Sequence, residues 1–398
     1  MSVVRFKCAS VASPHLSRGR LAVLLARSAS RVGSAMAAFG RFVGRAGTAL
    51  GVSAMMMAGA RADIVYPDVV PGYQIEFPRD EGSHPQFKTE WWYVTGWLEG
   101  ESGSPLGFQL TFFRSRTGID ENNPSRFALR QVLFAHLAVS DPKRGSLLHH
   151  EKSARPGFGL AAAAEGALDV YIDDWHLRRD GDTYVAVARA DDLQLDLKLQ
   201  SRAPPLLQGE QGFSQKGPDP RSASYYYSLP QLEVTGRVAI DGREQAVRGT
   251  AWFDHEWSGA IVDERAQGWD WVGLNLDDGG ALMTSQMRGP EDTELWAAAK
   301  WRAGNSSEAV SYEPEQIEWK PLRHWRSSRT GVEYPVEWQV TLDDRVITLR
   351  PLMDDQENDA SGSTGTIYWE GAVRAFEGGQ PIGRGYLELT GYGKRIRF

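Results

Sequence analysis

The ten residues Gly249-Thr-Ala-Trp-Phe-Asp-His-Glu-Trp-Ser258 hold two tryptophans, two acids, one histidine and two hydroxyls. On an extended strand, successive side chains point to opposite faces. Trp252, Asp254 and Glu256 then share one face, and Phe253, His255 and Trp257 the other. The first face sets carboxylates beside an indole. The second is an apolar body with one titratable tip. Ionisable groups among large aromatics are candidates for a shifted pKa and so for acid–base work. The alternative is a core strand whose charges face water. Three other clusters share this character. In Glu90-Trp91-Trp92-Tyr93, Glu90 and Trp92 face one way and Trp91 and Tyr93 the other. In Trp269-Asp270-Trp271, Asp270 points away from both indoles. Tyr225-Tyr226-Tyr227-Ser228 supplies phenols that can orient a ligand, or simply pack across strands.

Other chemistries find little support. His84, His136, His176 and His255 show neither His-x-His nor His-Glu-x-x-His spacing, so no metal site is expected. His149-His150 falls in an expected loop. There is no Gly-x-Ser-x-Gly elbow and no phosphate-binding glycine loop.

These residues must be held by strands. Proline-rich chain at 63–86 precedes strand signals at 91–98, 106–114, 131–139, 168–177, 183–190, 193–199, 225–228, 232–240 and 245–257. More follow at 269–276, 281–287, 295–301, 317–325, 336–342, 346–352, 367–376 and 385–392, and 354–365 reads as a polar, flexible stretch. Asp180-Gly181-Asp182 and Asp241-Gly242 mark turns. Only 161–167 has helical composition. The expected fold is all-β, with two antiparallel β-barrels side by side. The expected divisions are a leader at 1–62, a first barrel domain at 63–262 and a second at 263–398, with no close sequence repeat between them. Fourteen tryptophans and thirteen tyrosines suit a barrel whose interior holds an apolar ligand.

Residues 1–62 hold nine Lys or Arg and no acid. A weakly apolar stretch at 49–58 and a small-x-small site at Ala60-Arg61-Ala62 give them the order of a signal peptide, starting at Met1 or Met36. The expected location is therefore the periplasm or the exterior, with an organelle as the alternative. Losing nine positive charges would take the net charge from −7 to −16, which disfavours nucleic acid as a partner. The single cysteine, Cys8, lies in the leader, so the remaining chain has no disulfide and no thiolate. No apolar run reaches eighteen residues.

Longer motifs are spread over roughly residues 74–396. They are His84-Pro85 with Lys88-Thr89-Glu90-Trp91-Trp92-Tyr93; Gly107-Phe108-Gln109-Leu110-Thr111-Phe112-Phe113-Arg114; Ala135-His136; the four residues from Tyr225; the stretch Gly249 to Ser258; Gly268-Trp269-Asp270-Trp271; Tyr368-Trp369-Glu370-Gly371-Ala372-Val373; and Gly385-Tyr386-Leu387-Glu388-Leu389-Thr390-Gly391-Tyr392. In these the chain resembles the lipocalin-like family that includes hydroxyneurosporene synthase (carotenoid 1,2-hydratase) and the AttH-like secreted proteins. The resemblance implies two lipocalin-like barrels and an apolar, isoprenoid or lipid-like ligand, a partner compatible with peripheral membrane association. It leaves the oligomeric state open. It also implies a hydratase chemistry without a cofactor: an acid protonates an isolated double bond, aromatic faces stabilise the cation, and water adds as a base takes its proton. Asp254, Asp270 and Glu90 are the candidate acids and His255 the base. Trp91, Trp92, Tyr226, Trp257, Trp269 and Trp271 are the expected substrate-binding walls. A lipid carrier without turnover and a secreted ester hydrolase are the alternatives.

Overall fold

The computed structural model describes residues 64–395 except 102, 120, 261, 262 and 305. The leader, with Cys8 and Met36, lies outside the described residues. The described chain is almost entirely antiparallel strand in two sheets.

The first sheet runs, edge to edge, through Leu148–Ala154, Gln131–Ser140, Pro105–Arg116, Thr89–Gly100, Arg243–Ala260, Ala223–Ile240, Leu193–Ser201, Thr183–Arg189, Trp175–Asp180, Asp169–Ile172 and Ala161–Ala163. The second runs through Val310–Tyr312, Glu294–Arg302, Ala281–Arg288, Gly268–Leu276, Gln380–Leu389, Thr366–Glu377, Arg345–Pro351, Glu333–Leu342 and Ile317–Arg326. Both follow one plan. Each sheet's first long strand pairs with the next one and also with the sheet's last strand, as closure into an up-and-down barrel requires. In each, the remaining seam falls mid-meander. In the first, the seam is spanned by Lys152 Nζ, which donates to Asp174 Oδ1 at 2.6 Å. The topology is thus duplicated although the sequence is not visibly repeated.

The strand expectations hold with local changes that have physical causes. The expected strand at 168–177 is a hairpin, because Asp173 takes a positive φ of 53° and turns the chain. The signals at 225–228 and 232–240 fuse into Ala223–Ile240 across a register shift between Leu229 and Leu232, where Gln231 has φ 58°. The alanines at 161–167 are too few to nucleate a helix, and Ala161–Ala163 instead pairs with Asp169–Ile172. His149 and His150 lie on the edge strand Leu148–Ala154, not in a loop. The polar stretch at 354–365 contains the short strand Glu357–Ala360.

The main difference concerns the barrel interiors. Both are filled by side chains. The first packs Trp92, Phe108, Phe112, Trp175, Phe253 and Trp257, and the second Trp301, Trp319, Trp338 and Trp369. A third cluster, with Tyr93, Trp97, Tyr226, Trp252, Trp271 and Tyr386, lies between the sheets. There Trp97 Nε1 donates to the Gly385 carbonyl at 2.9 Å and Asn275 Nδ2 to the Ala251 carbonyl at 3.1 Å. At Gly107 an added Cβ would stand 2.7 Å from Ala372 Cβ and 2.9 Å from the Tyr386 hydroxyl. Gly107→Val is therefore expected to destabilise the protein by about 1–3 kcal/mol through overpacking, read as a lower denaturant midpoint.

Candidate active site

Alternation along paired strands builds two facing walls. On the first sheet Tyr93, Asp254 and Ser228 stand in cross-strand register, as do Trp91, Glu256 and Tyr226. On the second, Ser285, Trp271, Glu388 and Glu370 form one lateral row. Between the walls lies a cavity of about 360 Å³ whose lining includes Trp91, Tyr93, Tyr226, Trp269, Trp271 and Trp296 with Asp254, Glu256, Glu370 and Glu388. The ligand space is thus between the barrels and not inside either one.

Asp254 is 3% exposed. It accepts hydrogen bonds from Tyr226 Oη at 2.7 Å, Ser228 Oγ at 2.5 Å and Trp252 Nε1 at 2.7 Å. Trp271 Nε1 in turn donates to Tyr226 Oη at 3.0 Å, which ties the carboxyl to the opposite wall. Burial pushes the Asp254 carboxyl up to about 7, against the pull of those three donors. Glu370 and Glu388 sit directly opposite each other on adjacent strands. Burial raises both carboxyls, and the charge of Glu388 raises Glu370 further. Like charges so placed do not both ionise near neutral pH, so the pair retains a proton. Glu256 is engaged with Lys216 Nζ at 2.9 Å.

The opposite face of the central stretch enters the first barrel and builds a different cluster. Glu90 Oε1 lies 2.8 Å from His84 Nδ1 and 3.0 Å from His255 Nε2. Its Oε2 accepts from Arg114 Nε at 2.8 Å and from the His84 backbone N–H at 2.9 Å. Burial opposes ionisation of Glu90, but His255, His84 and Arg114 hold its carboxyl well below the usual range. Glu90 therefore does not meet the expectation of a neutral acid. His255 is fully buried beside Trp92 and Tyr227, on the strand face opposite Asp254, so it cannot act as base on a substrate that Asp254 protonates. Trp92 and Trp257 pack here too, Trp257 stacked on the His84 ring at 3.8 Å, and form core instead of ligand wall.

His84, Glu90 and His255 offer three atoms within 4.8 Å of one another, a spacing a metal ion can use. The charges do not fit one. His84 Nε2 also faces Asp80 Oδ1 at 3.3 Å, and with carboxylates at both ring nitrogens the ring is held as imidazolium, its pKa raised despite burial. With Arg114 on Glu90 and Arg79 on Asp80, a divalent ion would add positive charge to carboxylates already matched. Asp270, the third expected acid, is bound by Arg288 Nε at 2.9 Å, Gln286 Nε2 at 2.7 Å and Tyr392 Oη at 3.0 Å, outside the cavity lining. Burial raises its carboxyl while Arg288 opposes the rise, and it serves as an ion-pair anchor.

The sequence profile described as AttH-like matches residues 68–392. The chain belongs to the AttH-like family. It is similar to the crystal structure of an AttH protein from Nitrosomonas europaea at 47% identity and a TM-score of 0.77, covering 82% of this chain and 99% of that one. The kievitone hydratase of Nectria haematococca is similar in fold, with a TM-score of 0.62 at 14% identity over 83% and 97% of the two chains. No curated protein matches in sequence.

In this AttH-like protein the cavity brings together Asp254, Trp91, Tyr226, Trp269 and Trp271, and leaves His255, Asp270, Trp92 and Trp257 outside its lining. Glu90 touches its edge from within the ion cluster. Sequence reasoning missed Glu370 and Glu388 as site residues. The available signal was an acid within an apolar strand, Tyr368-Trp369-Glu370-Gly371-Ala372 and Tyr386-Leu387-Glu388-Leu389, where period-two alternation aligns each acid with a tyrosine. Tyr368 leads to another missed group: its hydroxyl is 2.8 Å from His136 Nδ1, and burial pushes that imidazole down to about 3.

Proposed function

We propose that this AttH-like protein is a cofactor-free hydro-lyase that adds water to an isolated double bond of an apolar, isoprenoid or lipid-like substrate, acting outside the cytoplasm once its leader is removed. The observation that carries the reading is Asp254: a buried carboxyl with its pKa near 7, in the wall of a largely aromatic cavity. A carboxylic acid still protonated near neutral pH is the group that alkene protonation requires.

The steps balance as follows. The Asp254 proton forms the new C–H bond with the π electrons and leaves a tertiary cation. Indole and phenol faces from Trp91, Trp271 and Tyr226 stabilise that cation. Water forms the C–O bond, and its proton passes to the Asp254 carboxylate left by the first step, which takes the role expected of His255 and restores the acid. Carotenoids such as those of the 1,2-hydratase resemblance are one substrate class; the hydratase name of the fungal structure lends the fold alone. Mass spectrometry of ligand carried by the natively purified protein tests the reading. An isoprenoid that gains one water on incubation is the expected result. Phospholipid or fatty acid that never changes mass would replace the enzyme with a carrier.

A further inference from the structure

The cavity between the barrels is matched to a positive charge that the protein itself does not supply. Among the described lining residues the permanent cations are Arg114 and Lys216, and both are engaged: Arg114 with Glu90 at 2.8 Å and Lys216 with Glu256 at 2.9 Å. Asp254, Glu370 and Glu388 have no ion-pair partner among the described residues. At the same place Glu370 Oε1 and the Tyr93 hydroxyl, both buried, face each other without a well-formed hydrogen bond. The cavity wall itself holds an example of the contact in question: Lys216 Nζ lies 4.4 Å from the centroid of the Tyr226 ring. Buried acids without counter-ions beside indole faces make a receptor for a weakly hydrated cation.

We propose that this cavity takes amphiphiles with a cationic centre, an alkylammonium being the simplest, seated against Glu370 and Glu388 with the apolar body along Trp91, Trp269 and Trp271. The inference deepens the hydratase reading, on which it rests for the nature of the apolar body: the carbocation formed on protonation occupies the same place, and a stable ammonium imitates it. Charge preference itself does not require turnover.

Linkage gives the inference a second signature. A bound cation favours the ionised acids, so ammonium binding releases protons and a neutral ligand does not. The groups facing the bound cation are Tyr93, Tyr226, Asp254, Glu256, Lys216, His136 and the Glu90–Arg114 pair from the first sheet and its loops, and Tyr368, Glu370 and Glu388 from the second, with the Asp270–Arg288 pair behind. His136 stays neutral near pH 7 because burial lowers it to about 3. The tyrosines keep their protons, leaving the three raised carboxyls as the source.

The test is calorimetry on the full chain at pH 7 with octyltrimethylammonium, 1-octanol and octyl sulfate, repeated in buffers of different ionisation enthalpy. The ammonium is expected to bind at least tenfold more tightly than octanol, with the sulfate weakest. Part of a proton should be released for each ammonium bound. Glu370→Gln combined with Glu388→Gln should reduce both the preference and the release to what Asp254 alone supplies, with near-ultraviolet circular dichroism confirming the fold. Equal affinities, absence of ammonium binding, or binding without proton release overturns the inference, and none of the three needs a variant. Hydration of an isoprenoid without ammonium preference would leave the hydratase reading standing and remove this one. Ammonium preference in a protein that hydrates nothing would do the reverse.

Discussion

Glu90→Gln is expected to lower folding stability by about 3–5 kcal/mol, the penalty for breaking a buried ion pair by removing one partner. Glu90 is fully buried and accepts from Arg114, from the His84 backbone, and from the His84 and His255 rings. A neutral amide leaves the Arg114 guanidinium and the His84 imidazolium without their shared counter-charge in a core that water does not reach. Arg114 Nη1 is already without a partner there, so the cluster has no spare acceptor to compensate. Urea unfolding followed by tryptophan fluorescence measures the effect, and a loss below about 1 kcal/mol would show that the cluster tolerates a neutral centre.

The same variant carries a pH signature. The Glu90 pKa is depressed on folding from the ordinary value of 4.5, so its contribution is present above that pH and is lost as pH falls towards the folded value. The His84 pKa is raised above 6.5, so its contribution is present below that pH and is lost as pH rises through the folded value. Both are whole between about pH 4.5 and 6.5. The Glu90→Gln penalty is therefore greatest in that window and shrinks towards pH 3. His255, whose pKa burial lowers while Glu90 partly holds it up, opposes folding below pH 6.5, and more so in the variant.

What could be read from the sequence, and what could not, follows from the range of each interaction. Period-two alternation is local, and it places Asp254 with Trp252 and Glu256, and His255 with Trp257, on opposite faces as the strand Arg243–Ala260 has them. Which face meets a ligand is not local. It depends on a second barrel docking against the outer face of the first, through contacts such as Trp97 to Gly385 and Asn275 to Ala251 that no periodicity records. The interior, where a ligand was expected, is instead filled by tryptophans and by the ion cluster. His84 and His255 join that cluster although neither has a metal-type neighbour in sequence, because Glu90 lies next to both in space. Glu370 and Glu388 become a pair only through the register of Thr366–Glu377 on Gln380–Leu389. A one-residue slip of either strand would turn its acid towards the barrel core and break the pair.

The placement of Asp254 leads to the largest expected catalytic effect. Asp254→Asn keeps the shape of the side chain and an oxygen that accepts from Ser228 and Trp252, with its amide N–H turned to the Tyr226 oxygen, but it removes the proton that an alkene must receive. Turnover is expected to fall by about 10²–10⁴-fold, the range for a lost general acid, with ligand affinity nearly unchanged. A loss confined to kcat identifies a group that acts in the transition state, whereas a rise in KM alone would make Asp254 a binding residue. The wild-type profile has its own sign: the reactive form is the protonated one, so the rate should fall as pH rises through about 7, where burial places the Asp254 pKa. Tyr226→Phe separates the roles of Asp254 and its donor network. Removing one hydrogen bond to the carboxylate takes away a contact that lowers its pKa, so the falling limb should move to higher pH while the reaction persists. A limb that stays in place in this variant would show that another carboxyl, in the Glu370–Glu388 pair, delivers the proton.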